Sequence, residues 1–162
     1  MACNTLANRL EPCKQYVGGI RGAFFIAYDY TTVVTKDVAG LVTSINNGAT
    51  PTPVKKTAYF WELKGLSTIE TTVVASRDNG TNAYDTTFTL SFKPSGTAPS
   101  NGDLDSDTIK TLSQGRWQIV VWDRNNQFWL LGETQGCDAN GGTLSWGVQM
   151  GDARLNTITF MS

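Results

Sequence analysis

From residue 20 onward, short runs of alternating or clustered apolar residues are separated by groups of Gly, Asn, Asp, Ser, Thr and Pro. That is the pattern of a mainly β protein. Residues 20–30, IRGAFFIAYDY, are rich in aromatic and β-favouring residues and predict a strand. A second strand is expected near 37–45, DVAGLVTSI, followed by a loop over 46–53, NNGATPTP. Residues 54–64, VKKTAYFWELK, predict a third strand, with Tyr59 and Trp61 on one face and Phe60 on the other.

The segments STIETTVVAS (67–76) and NAYDTTFTLSF (82–92) flank Asp78-Asn79-Gly80-Thr81, and Asn-Gly is the strongest short-range hairpin signal. A tip at Asn79-Gly80 pairs Ile69 with Leu90, Thr71 with Phe88, Val73 with Thr86 and Ala75 with Tyr84. One face is then largely apolar and the other largely polar, as a sheet with one wet side requires. At ~3.3 Å per residue the hairpin is roughly 30 Å long, enough to overhang a small core. After a flexible loop expected over 94–103, DLDSDTIKTLSQG reads as a helix. Asp103 or Asp105 caps it, Asp107 lies in its first turn, Ile109 and Leu112 share a face, and Gly115 stops it. RWQIVVWD and QFWLLG flank Asn125-Asn126 as a second hairpin, which pairs Trp122 with Trp129 and Val121 with Leu130. Trp117, Ile119 and Val121 occupy one of its faces, Val120 and Trp122 the other, so both sides need a cover. A loop, 133–143, leads to a last strand pair, LSWGVQM and RLNTITFM. The expected architecture is an antiparallel β-sandwich or barrel with one short helix and long hairpins. Residues 1–19, polar and closed by Gly18-Gly19, are expected to form an N-terminal arm, and 20–162 a single β domain.

Composition narrows the chemistry. The chain has 162 residues, thirteen basic against fourteen acidic, and no histidine. The missing histidine excludes Ser-His-Asp and Cys-His triads and His-ligated metals. The charge balance argues against a basic nucleic-acid-binding module, and no apolar run approaches the ~20 residues of a membrane-spanning helix. Three cysteines, Cys3, Cys13 and Cys137, fit reduced thiols better than a complete disulfide framework, although a Cys3–Cys13 bridge is possible. The start has no apolar signal-peptide core, which predicts synthesis in a cytoplasm. Asp103, Asp105 and Asp107 alternate as at the start of a calcium loop, but Thr108 and Gln114 stand where its glycine and glutamate belong. Their simpler role is to complement a helix dipole. Glu62, Glu70 and Glu133 sit on strands or loops with no spacing that makes them a catalytic pair. The residues predict no catalysis, metal or cofactor.

The pieces together resemble a known group. They are a short cysteine-containing start (Met1-Ala2-Cys3), the aromatic strand YVGGIRGAFFIAYDY, a long Thr-rich hairpin with an Asn-Gly tip, and LSQGRW entering IVVWDRNNQFWLLG. This layout resembles small virion structural proteins of tailed bacteriophages infecting Bacteroidetes, including crAss-like phages. It is also similar to tail-tube and tail-completion proteins. The resemblance implies a tail-tube-like fold and a homo-oligomeric ring, sixfold or twelvefold. Such a ring would contact neighbouring tail or portal ring proteins, with double-stranded DNA passing transiently through its lumen. The protein would be made in the bacterial host cytoplasm and reside in the virion tail, without a membrane anchor. A near-neutral charge suits such a conduit, because a basic lumen would retain DNA. Candidate subunit-interface residues are Ile69, Val73, Phe88 and Leu90 on the long hairpin and Trp117, Trp122 and Trp129 on the tryptophan hairpin, together with the N-terminal arm. The alternative is a head fibre, decoration or carbohydrate-binding β-sandwich, for which tryptophans must reach solvent.

Overall fold

The computed structural model describes residues 18–49, 51–63, 66–76, 81–93, 104–145 and 155–162. Apart from Gly18 and Gly19, the expected arm lies outside them. So do Cys3, Cys13, Asp103, the Asn79-Gly80 tip and residues 146–150. Ten strands and one helix are present among the described residues: β1 (Ile20–Ala27), β2 (Val33–Lys36), β3 (Val42–Asn46), β4 (Ala58–Glu62), β5 (Thr68–Ser76), β6 (Thr81–Phe92), α1 (Leu104–Gln114), β7 (Trp117–Asp123), β8 (Phe128–Leu131), β9 (Asp138–Ser145) and β10 (Leu155–Met161). All pairings are antiparallel. The first sheet has the order β4-β1-β7-β8, the second β5-β6-β10-β9, and β2-β3 is a separate ribbon. The fold is a β-sandwich-like pair of sheets without barrel closure.

The core lies between the inner faces of the two sheets. Ala23 and Phe25 of β1 and Ile119 and Val121 of β7 meet Phe88 and Leu90 of β6 and Ile158 and Phe160 of β10. Phe25 bridges the layers, with its ring 5.7 Å from Phe160, 5.6 Å from Trp61 and 6.3 Å from Trp117. Helix α1 adds Leu112 to this core, with Ile109 packed at its margin. The Trp117 indole N–H donates to the Leu112 carbonyl oxygen at 3.0 Å. That bond satisfies one of the carbonyls that a helix leaves free at its C-terminus.

Four expectations are corrected. The long hairpin pairs Ile69 with Phe88, Thr71 with Thr86 and Val73 with Tyr84, two positions away from the expected register. A shift of two leaves every side chain on its original face, so alternation could not detect it. The second hairpin is shifted by one: Trp122 pairs with Phe128 and Val121 with Trp129. Its turn spans Arg124, Asn125 and Asn126, with Asn126 left-handed at φ 63°. The Asp123 carboxylate accepts from the main-chain N–H groups of Asn125 and Gln127, both at 2.8 Å. A type I turn followed by a left-handed residue is the usual three-residue hairpin loop.

Third, the strand expected at 37–45 is interrupted. Asp37 accepts from the amides of Ala39 and Leu41 and turns the chain, so β2 and β3 form a ribbon on either side. Fourth, much of the expected loop 133–143 is strand. β9 starts at Asp138, pairs with β10 and contains a bulge opposite Ile158–Phe160. The turn before it needs its glycines. Gly132 and Gly136 have φ of +69° and +74°, and a Cβ on Gly132 would fall 2.7 Å from the Cys137 sulfur. Cys137 is a free, buried thiol, and burial pushes it up to about 12.

Lys56 fastens the exit of β1 to the turn that follows. Its ammonium donates to the Ala27 carbonyl oxygen (2.8 Å), the Asp29 carboxylate (2.7 Å) and the Thr32 hydroxyl (2.6 Å). The bond from Lys56 to Asp29, then that from the Thr31 hydroxyl at 2.6 Å, hold the Asp29 carboxyl well below the usual carboxylate range. A carboxyl with a depressed folded value stabilises the fold above its unfolded value near 4. That contribution disappears as pH falls through the folded value. The staple is therefore expected to persist at pH 4 and to fail only in stronger acid. Lys56→Met is expected to cost about 2 kcal/mol, read by urea denaturation, and to speed amide exchange over residues 28–36. An unchanged exchange pattern would count against the staple.

Candidate functional site

The outward faces of the two sheets differ in chemistry. On the second sheet, the residues beside core-facing Phe88, Leu90, Ile158 and Phe160 point outward. They include Thr89, Thr157 and Thr159, and register places Thr68 and Thr143 beside them. This is a hydroxyl-rich face suited to water. On the first sheet, the outward row across β4, β1, β7 and β8 is Phe60, Phe24, Val120 and Leu130. The next row runs Glu62, Gly22, Trp122 and Phe128.

These rings form a continuous layer. Phe24 and Phe60 have centroids 4.8 Å apart, Phe60 and Trp122 6.5 Å, and Trp122 and Phe128 5.7 Å at an interplanar angle of 9°. Gly22 makes the layer possible, because a Cβ there would lie 2.5 Å from the Phe60 ring. Phe60 is 49% exposed and Phe128 56%, so the layer is open at its two edge strands, β4 and β8.

One end of this face carries charge. β1 has an irregularity between Ile20 and Gly22 that leaves Arg21 unpaired on the β7 side, while its carbonyl oxygen accepts from the Leu63 N–H at 2.9 Å. The Arg21 guanidinium carbon lies 4.2 Å from the centre of the Trp122 ring, a cation–π contact. Arg21 and Arg124, with Phe60, Glu62 and Trp122, line a cleft of about 440 Å³. The opposite end is closed. Ile26 and Gln118 are buried, and the Gln118 amide donates to the Glu133 carbonyl oxygen at 3.1 Å. Glu133 in turn pairs with Lys36 of the β2-β3 ribbon.

A second exposed apolar feature is the far part of the β5-β6 hairpin. Ser162 pairs with Thr86 through both main-chain bonds. Beyond that point, among the described residues, β5 and β6 pair only with each other. Val73, Val74 and Tyr84 are 57%, 47% and 65% exposed there. Val73 and Tyr84 are directly opposed on the side that holds Ile69 and Phe88 nearer the core.

The seven candidate interface residues therefore separate. Phe88, Leu90 and Trp117 lie inside the chain's own core, and offer nothing to a neighbour. Ile69 packs at the margin of that core. Val73, Trp122 and Trp129 remain accessible; Trp129, 54% exposed, sits on the inward side of edge strand β8, not beside Trp122. Sequence reasoning omitted Phe24, Phe128 and Arg21. The alternation in AFFIA carries a signal for Phe24, and the one-position shift of the second hairpin concealed Phe128. Of the candidate carboxylates, Glu133 is committed to Lys36. Among the described residues, no cluster of three metal-ligating side chains is present. Comparison of the chain with protein-family models, with curated proteins and with solved structures gives no match.

Proposed function

We propose that this chain is a non-catalytic structural subunit that self-assembles through the outward face of its first sheet. The observation that carries the reading is the difference between the two outward faces. Threonine predominates on one, whereas Phe24, Phe60, Trp122 and Phe128 form an open aromatic layer on the other. Contiguous exposed apolar surface marks interaction sites, and aromatic residues with arginine are the types enriched there. The overhanging Val73–Tyr84 part of the hairpin is a second surface, so contacts between unlike faces can close a ring.

The place of such a ring rests on the resemblance of the sequence segments. It is a tail or portal-proximal connector of a tailed phage, sixfold or twelvefold, with double-stranded DNA passing through. Light scattering across protein concentration with negative-stain imaging tests the reading. Rings or stacked tubes are expected. A persistent monomer would overturn self-assembly. The decoration or carbohydrate-binding reading would then be favoured, the half-exposed Trp129 being its best platform.

A further inference from the structure

A cleft of about 360 Å³ lies between edge strand β4 and helix α1, within the ~300–1,000 Å³ range of small-molecule sites. It is on the inward side of β4, opposite the face that carries Phe60. Phe25, Leu112 and Trp117 contribute its buried part. Tyr59, 58% exposed, and the half-buried Trp61 contribute its accessible part. Two rings stand edgewise to Phe25, Trp61 at 63° and Trp117 at 89°. Neither indole plane is parallel to the Phe25 ring.

The polar part of the lining comes from one stretch of helix, Asp107, Thr108 and Thr111. Two of the nearby donors are already used. The Thr111 hydroxyl donates to the Asp107 carbonyl oxygen at 2.9 Å, and the Trp117 N–H to the Leu112 carbonyl oxygen. Asp107 is exposed, and among the described residues lining the cleft it supplies the sole formal charge. A sugar needs several free donors and acceptors over its ring. This cleft instead offers π faces, hydrocarbon and one negative charge. Ring faces attract cations through their quadrupoles, most strongly where water is excluded, and the carboxylate adds Coulomb attraction.

We propose that this cleft binds a methylated ammonium group, with Tyr59, Trp61 and Trp117 around the methyls and Asp107 supplying the counter-charge. A choline-type headgroup and a trimethyl-lysine side chain share this chemistry. The test titrates the full chain with choline chloride, with the blocked trimethyl-lysine amino acid, and with the neutral isostere in which carbon replaces the choline nitrogen. Ionic strength is held constant, and tryptophan fluorescence and heat are followed.

Saturable binding is expected, about tenfold tighter for the cation than for its neutral isostere. Whichever of choline and trimethyl-lysine binds more tightly identifies the source. Asp107→Asn, on the exposed rim, is expected to retain the fold and weaken the cation about threefold to tenfold without affecting the isostere. Trp61→Leu is expected to abolish saturation, with circular dichroism confirming its fold. Equal affinity for the isostere, an unchanged Asp107→Asn titration, or no saturation would each overturn the proposal.

Discussion

Phe25→Ala is expected to destabilise the fold by about 3–5 kcal/mol. Phe25 is 1% exposed, and its ring contacts Trp61 on β4, Trp117 on β7 and Phe160 on β10. The first two belong to its own sheet and the third to the facing sheet. Removing the ring loses the transfer energy of its apolar surface and leaves a cavity. The walls of that cavity are held by two hydrogen-bonded sheets and relax little. At about 2–4 °C per kcal/mol for a domain of this size, the melting temperature should fall by about 10 °C. Val73→Ala is the internal control. Val73 is 57% exposed, so its loss should stay within about 0.5 kcal/mol. Urea denaturation of both variants decides the matter. A Phe25→Ala cost below about 1 kcal/mol would mean that the two sheets do not pack through this ring.

The second large effect concerns association. Replacing Phe60 and Phe128 together by aspartate is expected to abolish self-assembly, with little loss of monomer stability. Both side chains are about half exposed, on the two edge strands of the first sheet. The new carboxylates would remain hydrated in a monomer but would be desolvated in an assembly, where an unpaired charge costs several kcal/mol. Sedimentation velocity of wild-type and variant protein reads the association, and circular dichroism reads the fold. A folded variant that still forms the wild-type oligomer would remove this face from consideration. Val73→Asp with Tyr84→Asp then tests the hairpin. Both substitutions lie beyond the point where Ser162 closes the second sheet against Thr86, so the core should tolerate them.

Much of the candidate face was visible in the sequence without being recognised as a face. The alternation in TAYFWEL separates Phe60 from Tyr59 and Trp61, and the structure places them on opposite sides of β4 as that alternation requires. Phe24 follows the same rule against Phe25. What alternation lacks is a sign: it says which residues share a side, not which side meets the other sheet. In the first sheet both sides are apolar, so only the packing against β6 and β10 distinguishes core from surface. In the second sheet the threonines mark the polar side, but alternation does not say what covers the apolar side: Phe88 and Leu90, expected at a subunit interface, lie in the chain's own core.

Read from its residues alone, the chain is a mainly antiparallel β protein with a helix through Ile109 and Leu112 and two hairpins, and outside β8 its side chains divide between faces as alternation requires. These depend on local periodicity and turn chemistry, which act over a few residues. Tertiary structure decided the registers. In the long hairpin, both pairings keep the same residues on the same faces. Ile69 meets Phe88 where Phe88 also pairs with Phe160. In the tryptophan hairpin, the Asp123-centred loop carries three residues instead of two, which moves Trp129 to the core side and brings Phe128 to Trp122. Tertiary structure also made a strand of Asp138–Ser145, a glycine-rich stretch with weak intrinsic preference. Among the described residues its strand partner is β10, the next strand in the chain, whose own place is fixed by pairing with β6.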